Sequence, residues 1–309
     1  MNKKKKIVIC GGAGFVGHNL VPFLKNEYEL VVIDKHKNNL ELLKKIHPKI
    51  KIVYSDLSKK TKWEETFENA DTIIQLNAQI SATDYMPFKN NNITATKNII
   101  DAMKKFNVKY IIHTSSAAVI SIRLDNYAKS KKEGEEIVTK SGINYVSLRP
   151  SMMYGPFDNK NVGWLIKFMK FSPIFPIPGN GKHPRQPVYV EDYAKIIKKL
   201  IEKKPKNKIY PINGDSIDFI DMVKTILKSK KMTRLIMKIP IKTFILLLRT
   251  YNFILRKKEF TKDQVLSLTS GDEFEMFPWW DKFEIKKTSF KEGMKKITKS
   301  KYGDIMLER

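Results

Sequence analysis

The chain has 309 residues, 42% of them apolar, a size and composition suited to about two domains or to one large domain with a smaller cap. A single cysteine, Cys10, excludes a disulfide framework and places the protein in a reducing compartment, expected to be the cytoplasm. The formal charge of +26 comes from 51 lysines and only seven arginines, with no groove-reading or aromatic motif, so nucleic acid is not an expected partner. No segment reaches the ~20 apolar residues of a spanning helix. A lysine surface of this kind is read as a solvated face, with attraction to anionic substrates or membrane surfaces as the functional alternative.

Met1–Lys6 followed by Ile7-Val8-Ile9 imitates a secretory signal, but the apolar run is short, meets glycines and lacks a small-residue cleavage site. It is read instead as the first strand, Lys6–Cys10. Gly11-Gly12-Ala13-Gly14-Phe15-Val16-Gly17 comes next and opens a helical pattern of Val16, Leu20, Phe23 and Leu24. Strand, glycine turn and helix in that order are the context of a dinucleotide site. Gly11 permits the tight turn, Gly14 lets the backbone approach a pyrophosphate, and Gly17 allows close helix–strand packing. The helix N-terminus offers amide N–H groups to phosphate.

A second strand, Leu30–Ile33, ends at Asp34, about twenty positions after the glycines. A carboxylate there accepts from both ribose hydroxyls and repels a 2′-phosphate, which favours NAD over NADP; Lys35 and Lys37 act in the opposite sense. Further strands are predicted at Ile50–Tyr54, Thr72–Leu76, Tyr110–His113 and Asn144–Leu148. The clearest helix between them runs over Phe88–Phe106 on the spacing of Ile93, Ile99, Ala102 and Met103. Strands alternating with helices predict an α/β fold, a doubly wound parallel (Rossmann) sheet over residues 1–150. Residues 151–309 are predicted to form a substrate-binding region and a smaller, mostly helical cap, with the chain crossing back to the sheet near 188–212. Seven prolines from Pro150 to Pro187 mark loop-rich pocket structure.

Tyr127 and Lys131 form a Tyr-x-x-x-Lys pair. On a helix both side chains share one face, roughly 5–6 Å apart at Cβ. An ammonium beside a phenol lowers its pKa and makes a proton shuttle. The bland alternative for so lysine-rich a chain is a solvated helix face.

With these motifs in order, the chain resembles the extended short-chain dehydrogenase/reductase superfamily, specifically its NAD-dependent epimerase/dehydratase group, over roughly residues 5–230. Asp56-Leu57 is similar to the family's Asp-Leu pair at the adenine, and Leu76-Asn77-Ala78 to its apolar-Ala-Ala motif. Asn92 to Thr96 matches the Asn-x-x-x-Thr pattern. Thr114-Ser115-Ser116 matches the serine run, and Leu148-Arg149-Pro150 and Tyr154-Gly155-Pro156 match the segment beside the nicotinamide. Arg185 to Asp192 resembles the Arg-x-x-x-x-Val-x-Asp stretch that clamps a nucleotide-sugar diphosphate.

The resemblance implies a catalytic Ser116, Tyr127 and Lys131. It implies NAD held by Gly11, Gly14, Phe15, Val16, Gly17, Asp34, Asp56, Leu57, Asn77, Ala78, Asn92, Thr114, Tyr127, Lys131 and Pro150. It implies a nucleotide-sugar substrate met by Gln79, Ser116, Tyr154 and Arg185, and an epimerase or dehydrogenase reaction. Three departures bear on the sugar: Ile120-Ser121 where Tyr-Gly is common, only eleven positions from Ser116 to Tyr127, and no evident second arginine in the tail, where Arg234 is poorly suited. Phe260 to Leu268 is similar to a Thr-x-Asp-Gln-Val-x-x-Leu segment in relatives of the nucleotide-binding accessory subunit of mitochondrial complex I. That likeness implies the alternative, a non-catalytic or quinone-pathway NAD(P)-binding protein.

The five histidines show no metal-ligand spacing, so no metal is expected. Trp279-Trp280 is read as a cap anchoring its own core, and Glu191 and Asp192 as helix-capping carboxylates. Lys242, Arg249 and Arg256 recur every seven residues, a basic stripe that fits either a solvated cap edge or peripheral contact with an anionic membrane. A homodimer is the remaining partner expectation.

Overall fold

A computed structural model describes residues 4–122, 124–255, 272–305 and 307. Seven strands form one parallel sheet: β1 (Lys6–Cys10), β2 (Glu29–Asp34), β3 (Lys51–Tyr54), β4 (Ala70–Gln75), β5 (Tyr110–Thr114), β6 (Asn144–Pro150) and β7 (Lys208–Ile212). Their order across the sheet is β7-β6-β5-β4-β1-β2-β3. Each of the first six coincides with a predicted apolar run, because a strand covered on both faces has no polar side to show. In β1, Ile7 and Ile9 face one core with Leu20, Leu24, Ile74 and Ile112. Val8 and Cys10 face another with Ile73, Ile99 and Met103. The order reverses between β1 and β4, the switch point where ligands of such sheets bind.

The helix predicted over Phe88–Phe106 is interrupted. It consists of Tyr85–Phe88, a π-helical turn at Lys89–Thr94, and Ala95–Lys105. The wide turn carries the Asn92 carbonyl onto Gly134, where a Cβ would lie 2.7 Å from that oxygen. Close passage at Gly134 draws helix Asn126–Thr139 toward the switch point.

After β6 the chain builds a third core from helices Val162–Phe171 and Phe219–Ser229 and the parallel pair Ile174–Pro178 with Leu235–Ile239. Between them, helix Val190–Lys203 returns to pack on helix Phe15–Leu24, and β7 adds the sheet's edge strand beside β6. Asp192 closes this crossover, accepting from the Thr288 backbone N–H (2.7 Å) and hydroxyl (3.0 Å). Trp279 is buried and donates its indole N–H to the Asn213 carbonyl (2.8 Å), which makes it a core anchor. Among the described residues, no helix is long and apolar enough to cross a membrane and no cluster of potential metal ligands occurs.

Candidate active site

The glycine loop is shaped by contacts no side chain would permit. Gly11 has φ +74°, and a Cβ on it would sit 2.4 Å from the Asn77 backbone nitrogen. A Cβ on Gly17 would sit 2.0 Å from the Gly12 carbonyl oxygen, so the helix can approach the loop this closely only at glycine. Gly14 occupies the N-cap of helix Phe15–Leu24 in an extended conformation with no side-chain cap, leaving the first amides of that helix for a ligand. Phe15 and Val16 are half-buried on this first turn.

Asp34 ends β2 and is nearly buried. One carboxylate oxygen accepts from the Ala13 N–H (3.0 Å) and the other from the His36 N–H (3.1 Å). Each oxygen retains acceptor capacity for a ribose hydroxyl. Burial pushes the Asp34 carboxyl up, opposed by these backbone donors. Asp56 binds the Ser58 amide (2.9 Å) and hydroxyl (2.8 Å) in the turn after β3. Leu57 is a core residue whose carbonyl accepts from Asn98 (3.0 Å).

Past β4, Asn77 donates to the Asn91 carbonyl (2.7 Å), while its own carboxamide oxygen is buried with no hydrogen-bond partner. An orphaned acceptor against Gly11, beside the free end of a helix, is what a dinucleotide's donors would satisfy. The residues fit NAD on that observation. Ala78 is exposed beside it. Gln79 is fixed by Asn92, which accepts from the Gln79 N–H (2.7 Å) and donates to its carbonyl (3.0 Å). The Asn92 amide also reaches the Ser130 hydroxyl (2.8 Å). The resemblance implied that Asn92 touches the cofactor; its side chain is instead engaged within the protein, bracing the loop after β4 against helix Asn126–Thr139.

Asp125 caps that helix, accepting from the Ala128 N–H (2.8 Å). Tyr127, Lys131 and Glu135 then lie one turn apart on the face turned to the sheet. Ser116 lies close enough to the Tyr127 phenol to lower its pKa, and its hydroxyl oxygen accepts from the Ala118 N–H (3.2 Å). Lys131 is buried and donates to the Thr114 carbonyl (2.6 Å). Thr114 Oγ1 in turn accepts from Tyr193 (2.8 Å). Glu135 is bound by Ser147 Oγ (2.6 Å) and, through both oxygens, by Arg149 (closest contact 2.8 Å). Ser116, Tyr127, Lys131, Asn77 and Pro150 therefore gather at the carboxyl ends of β4, β5 and β6.

The electrostatics correct one expectation. Tyr127 is pushed up, not drawn down: burial raises it most, Ser116 lowers it, and the Asp125 charge raises it again. Lys131 directs its ammonium to the Thr114 carbonyl, and burial lowers its own pKa to about 8, with the Glu135 charge acting to hold it up. His113, also buried, is kept neutral by desolvation and by Lys131, and its Nδ1 meets Gln75 (2.9 Å).

Two substrate expectations fare differently. Tyr154 is fully buried, packed on Tyr189 and Phe290, with its hydroxyl donating to the Ser289 carbonyl (3.3 Å). Helix Phe290–Lys299 covers it through Gly293, so Tyr154 is a core residue and not a pocket wall. Arg185 is half-buried on a short strand paired with Ile217–Asp218. Burial lowers its pKa to about 10, against the raising charge of Asp272. Sequence reasoning missed Glu135 and Tyr193. Glu135 stands two turns beyond Tyr127 on one helical stripe, a signal that was available, whereas the Tyr193–Thr114 contact joins residues 79 positions apart and has no local signature.

Fold and site together define an α/β enzyme built around a dinucleotide. The chain matches the NAD dependent epimerase/dehydratase family over residues 7–212, and it belongs to that family, whose enzymes are of isomerase and oxidoreductase type. A Methanocaldococcus jannaschii protein assigned as a UDP-glucose 4-epimerase is 31% identical over 224 residues, 61% of this chain and 71% of its own length. Subunit 9 of the alpha subcomplex of mitochondrial NADH dehydrogenase from Dictyostelium discoideum is 26% identical over 227 residues, covering 70% of this chain and 62% of that one. The UDP-N-acetylglucosamine 4-epimerase of Methanobrevibacter ruminantium, solved with UDP-N-acetylmuramic acid, superposes with a TM-score of 0.73 at 21% identity. That match covers 96% of this chain and 98% of the other.

Proposed function

We propose that the protein is an NAD-dependent nucleotide-sugar epimerase or dehydrogenase that works at a sugar carbinol through Ser116, Tyr127 and Lys131. The observation that carries this reading is a Lys131 ammonium buried at the carboxyl edge of the sheet, donating to the Thr114 carbonyl (2.6 Å) on the helix face that also carries Tyr127. The glycine loop, Asp34 and Asn77 would hold NAD, which when bound accepts and returns a hydride at the sugar carbon. Tyr127 takes the proton of the sugar hydroxyl and gives it back, with Ser116 hydrogen-bonded to the same oxygen. A charged Lys131, turned from the Thr114 carbonyl toward the phenol once substrate is in place, favours the ionised form of Tyr127. Return to the opposite face of the ketone gives the epimer, and release of the ketone gives a dehydrogenase. Arg185 supplies the cation for the diphosphate.

The similarity to archaeal sugar epimerases in sequence and fold supports this reading. The second reading, a non-catalytic or quinone-pathway NAD(P)-binding protein, is supported by the mitochondrial relative. The segment Phe260 to Leu268 that first suggested it lies outside the described residues, and the retention of Ser116, Tyr127 and Lys131 together at the carboxyl edge of the sheet favours turnover. A thermal-shift and conversion screen over UDP-, GDP- and dTDP-sugars with NAD separates the two. Conversion of at least one sugar nucleotide is expected. No shift and no conversion with any of them would move the assignment to the second reading.

A further inference from the structure

We propose that the outer face of the third core docks on an anionic lipid surface. Ile174–Pro178 and Leu235–Ile239 run parallel, with Leu235 opposite Ile174 and Met237 opposite Pro176. Phe175 and Ile177 point into the core, so the alternate residues form the outer face. Leu235 is 64% exposed, Met237 42% and Ile174 37%, and Phe171, just before the first strand, is 81% exposed. Helix Ile241–Leu255 continues this surface, its Ile241 lying 3.5 Å from where a Cβ on Gly179 would stand. Among its described side chains Ile241, Phe244 and Ile245 are half-buried, yet Leu246 and Leu247 project to solvent at 62% and 52%. A helix of an ordinary soluble domain turns leucines inward and charges outward. Here leucines also stand on the outer face of the helix's first two turns, and they adjoin the apolar sheet face.

Charge identifies the occupant. No acidic residue occurs between Asp158 and Glu191 or between Asp221 and Glu259, stretches that hold five and eleven lysines and arginines. Those stretches supply both strands and the helix. Exposed Lys238 and Lys242 flank the leucines. Asp221 and Asp304 engage Lys224, Lys170 and Lys230. A second copy would bring the same cations against themselves on a chain of net charge +26, whereas an anionic bilayer takes the apolar side chains into its headgroup boundary and pairs with the lysines. Arg249 and Arg256, read in the sequence as part of a basic stripe, have side chains outside the described residues; the sheet face, Leu246, Leu247 and the two lysines form the docking surface.

The test is co-sedimentation of the full chain with equimolar phosphatidylglycerol/phosphatidylcholine vesicles and with pure phosphatidylcholine vesicles at low salt. Binding is expected to the first and to be weak on the second. Leu235→Glu with Leu246→Glu should weaken binding by at least about tenfold, the order expected from withdrawing two buried leucines. Lys238→Gln with Lys242→Gln should weaken it about fivefold per lysine. Tyr54→Glu, at an exposed site on the far edge of the sheet, should change little, and unchanged melting temperatures with NAD present show that the variants are folded. Equal sedimentation of the leucine variant and the unaltered protein overturns the proposal and leaves a general lysine surface. So does a dimer that the leucine variant splits while vesicles bind neither protein.

Discussion

The sheet and the third core handle charge in opposite ways. At the carboxyl edge of the sheet the buried ionic groups are tied by internal hydrogen bonds: Asp34 to two backbone amides, Lys131 to the Thr114 carbonyl, Glu135 to Ser147 and Arg149. On the third core the lysines stand outward in acid-free stretches around exposed leucines. A site that performs chemistry needs groups fixed before the ligand arrives, and internal hydrogen bonds fix them. A surface that meets a broad, variable partner needs charge and apolar area without fixed geometry. The contrast predicts that substitutions at the sheet edge change stability and pH behaviour sharply, and that those on the third core change only what the protein touches.

The sharpest way to break that contrast is Glu135→Gln. It leaves Arg149 and Lys131 in a largely buried place without their counter-charge, and removal of one member of such a pair costs about 3 kcal/mol or more. Denaturant melts should show the loss. Because the Glu135 charge holds Lys131 up, the alkaline limb of the activity profile should also move to lower pH. A variant as stable as the parent would show that the network is not what fixes the edge.

Lys131 itself gives the next effect. Its pKa is depressed from 10.5 to about 8 by burial, so the folded state binds fewer protons than the unfolded chain between those values. Its destabilising contribution is fully present below about pH 8 and is relieved as pH rises toward 10.5. The shift corresponds to about 3 kcal/mol. Stability measured at pH 7 and pH 10 should therefore differ by less in Lys131→Met than in the parent, and an identical difference would contradict the burial of a charged lysine.

Smaller effects sharpen the two ligand assignments. Arg185→Ala should weaken sugar-nucleotide binding by about 2 kcal/mol, the range of one charge-assisted contact, with NAD affinity unchanged by calorimetry. Equal loss for both ligands would place Arg185 in the fold and not at the diphosphate. Asp34→Ala should narrow the preference for NAD over NADP by about 1 kcal/mol, since it removes the carboxylate that repels a 2′-phosphate. Tighter NADP binding by the unaltered protein would instead give that site to Lys35 and Lys37.

The sheet was legible because its strands are buried on both faces and read as unbroken apolar runs, and because Gly11 and Gly17 meet atoms that exclude any Cβ. The Tyr127–Lys131 face was legible from helical spacing alone. What spacing could not show is direction: Lys131 turns to the Thr114 carbonyl, Asn92 to Gln79 and Ser130, and Tyr154 into the core under Gly293. Each depends on which distant segment packs above it. The π-helical turn at Lys89–Thr94 was hidden for the same reason, since apolar periodicity continues across it while the backbone widens to meet Gly134.

On the proposed mechanism Tyr127 moves a proton in a site whose hold on NAD comes chiefly from the glycine loop, Asp34 and Asn77. Tyr127→Phe removes only the hydroxyl, so the most direct measurement pairs turnover of the best sugar nucleotide with calorimetric NAD affinity in this one variant. A fall in kcat of about a thousandfold is expected, the middle of the range for a positioned acid–base group, with NAD affinity changed by less than about twofold. Turnover within about tenfold of the parent, or NAD affinity lost in step with activity, would contradict it.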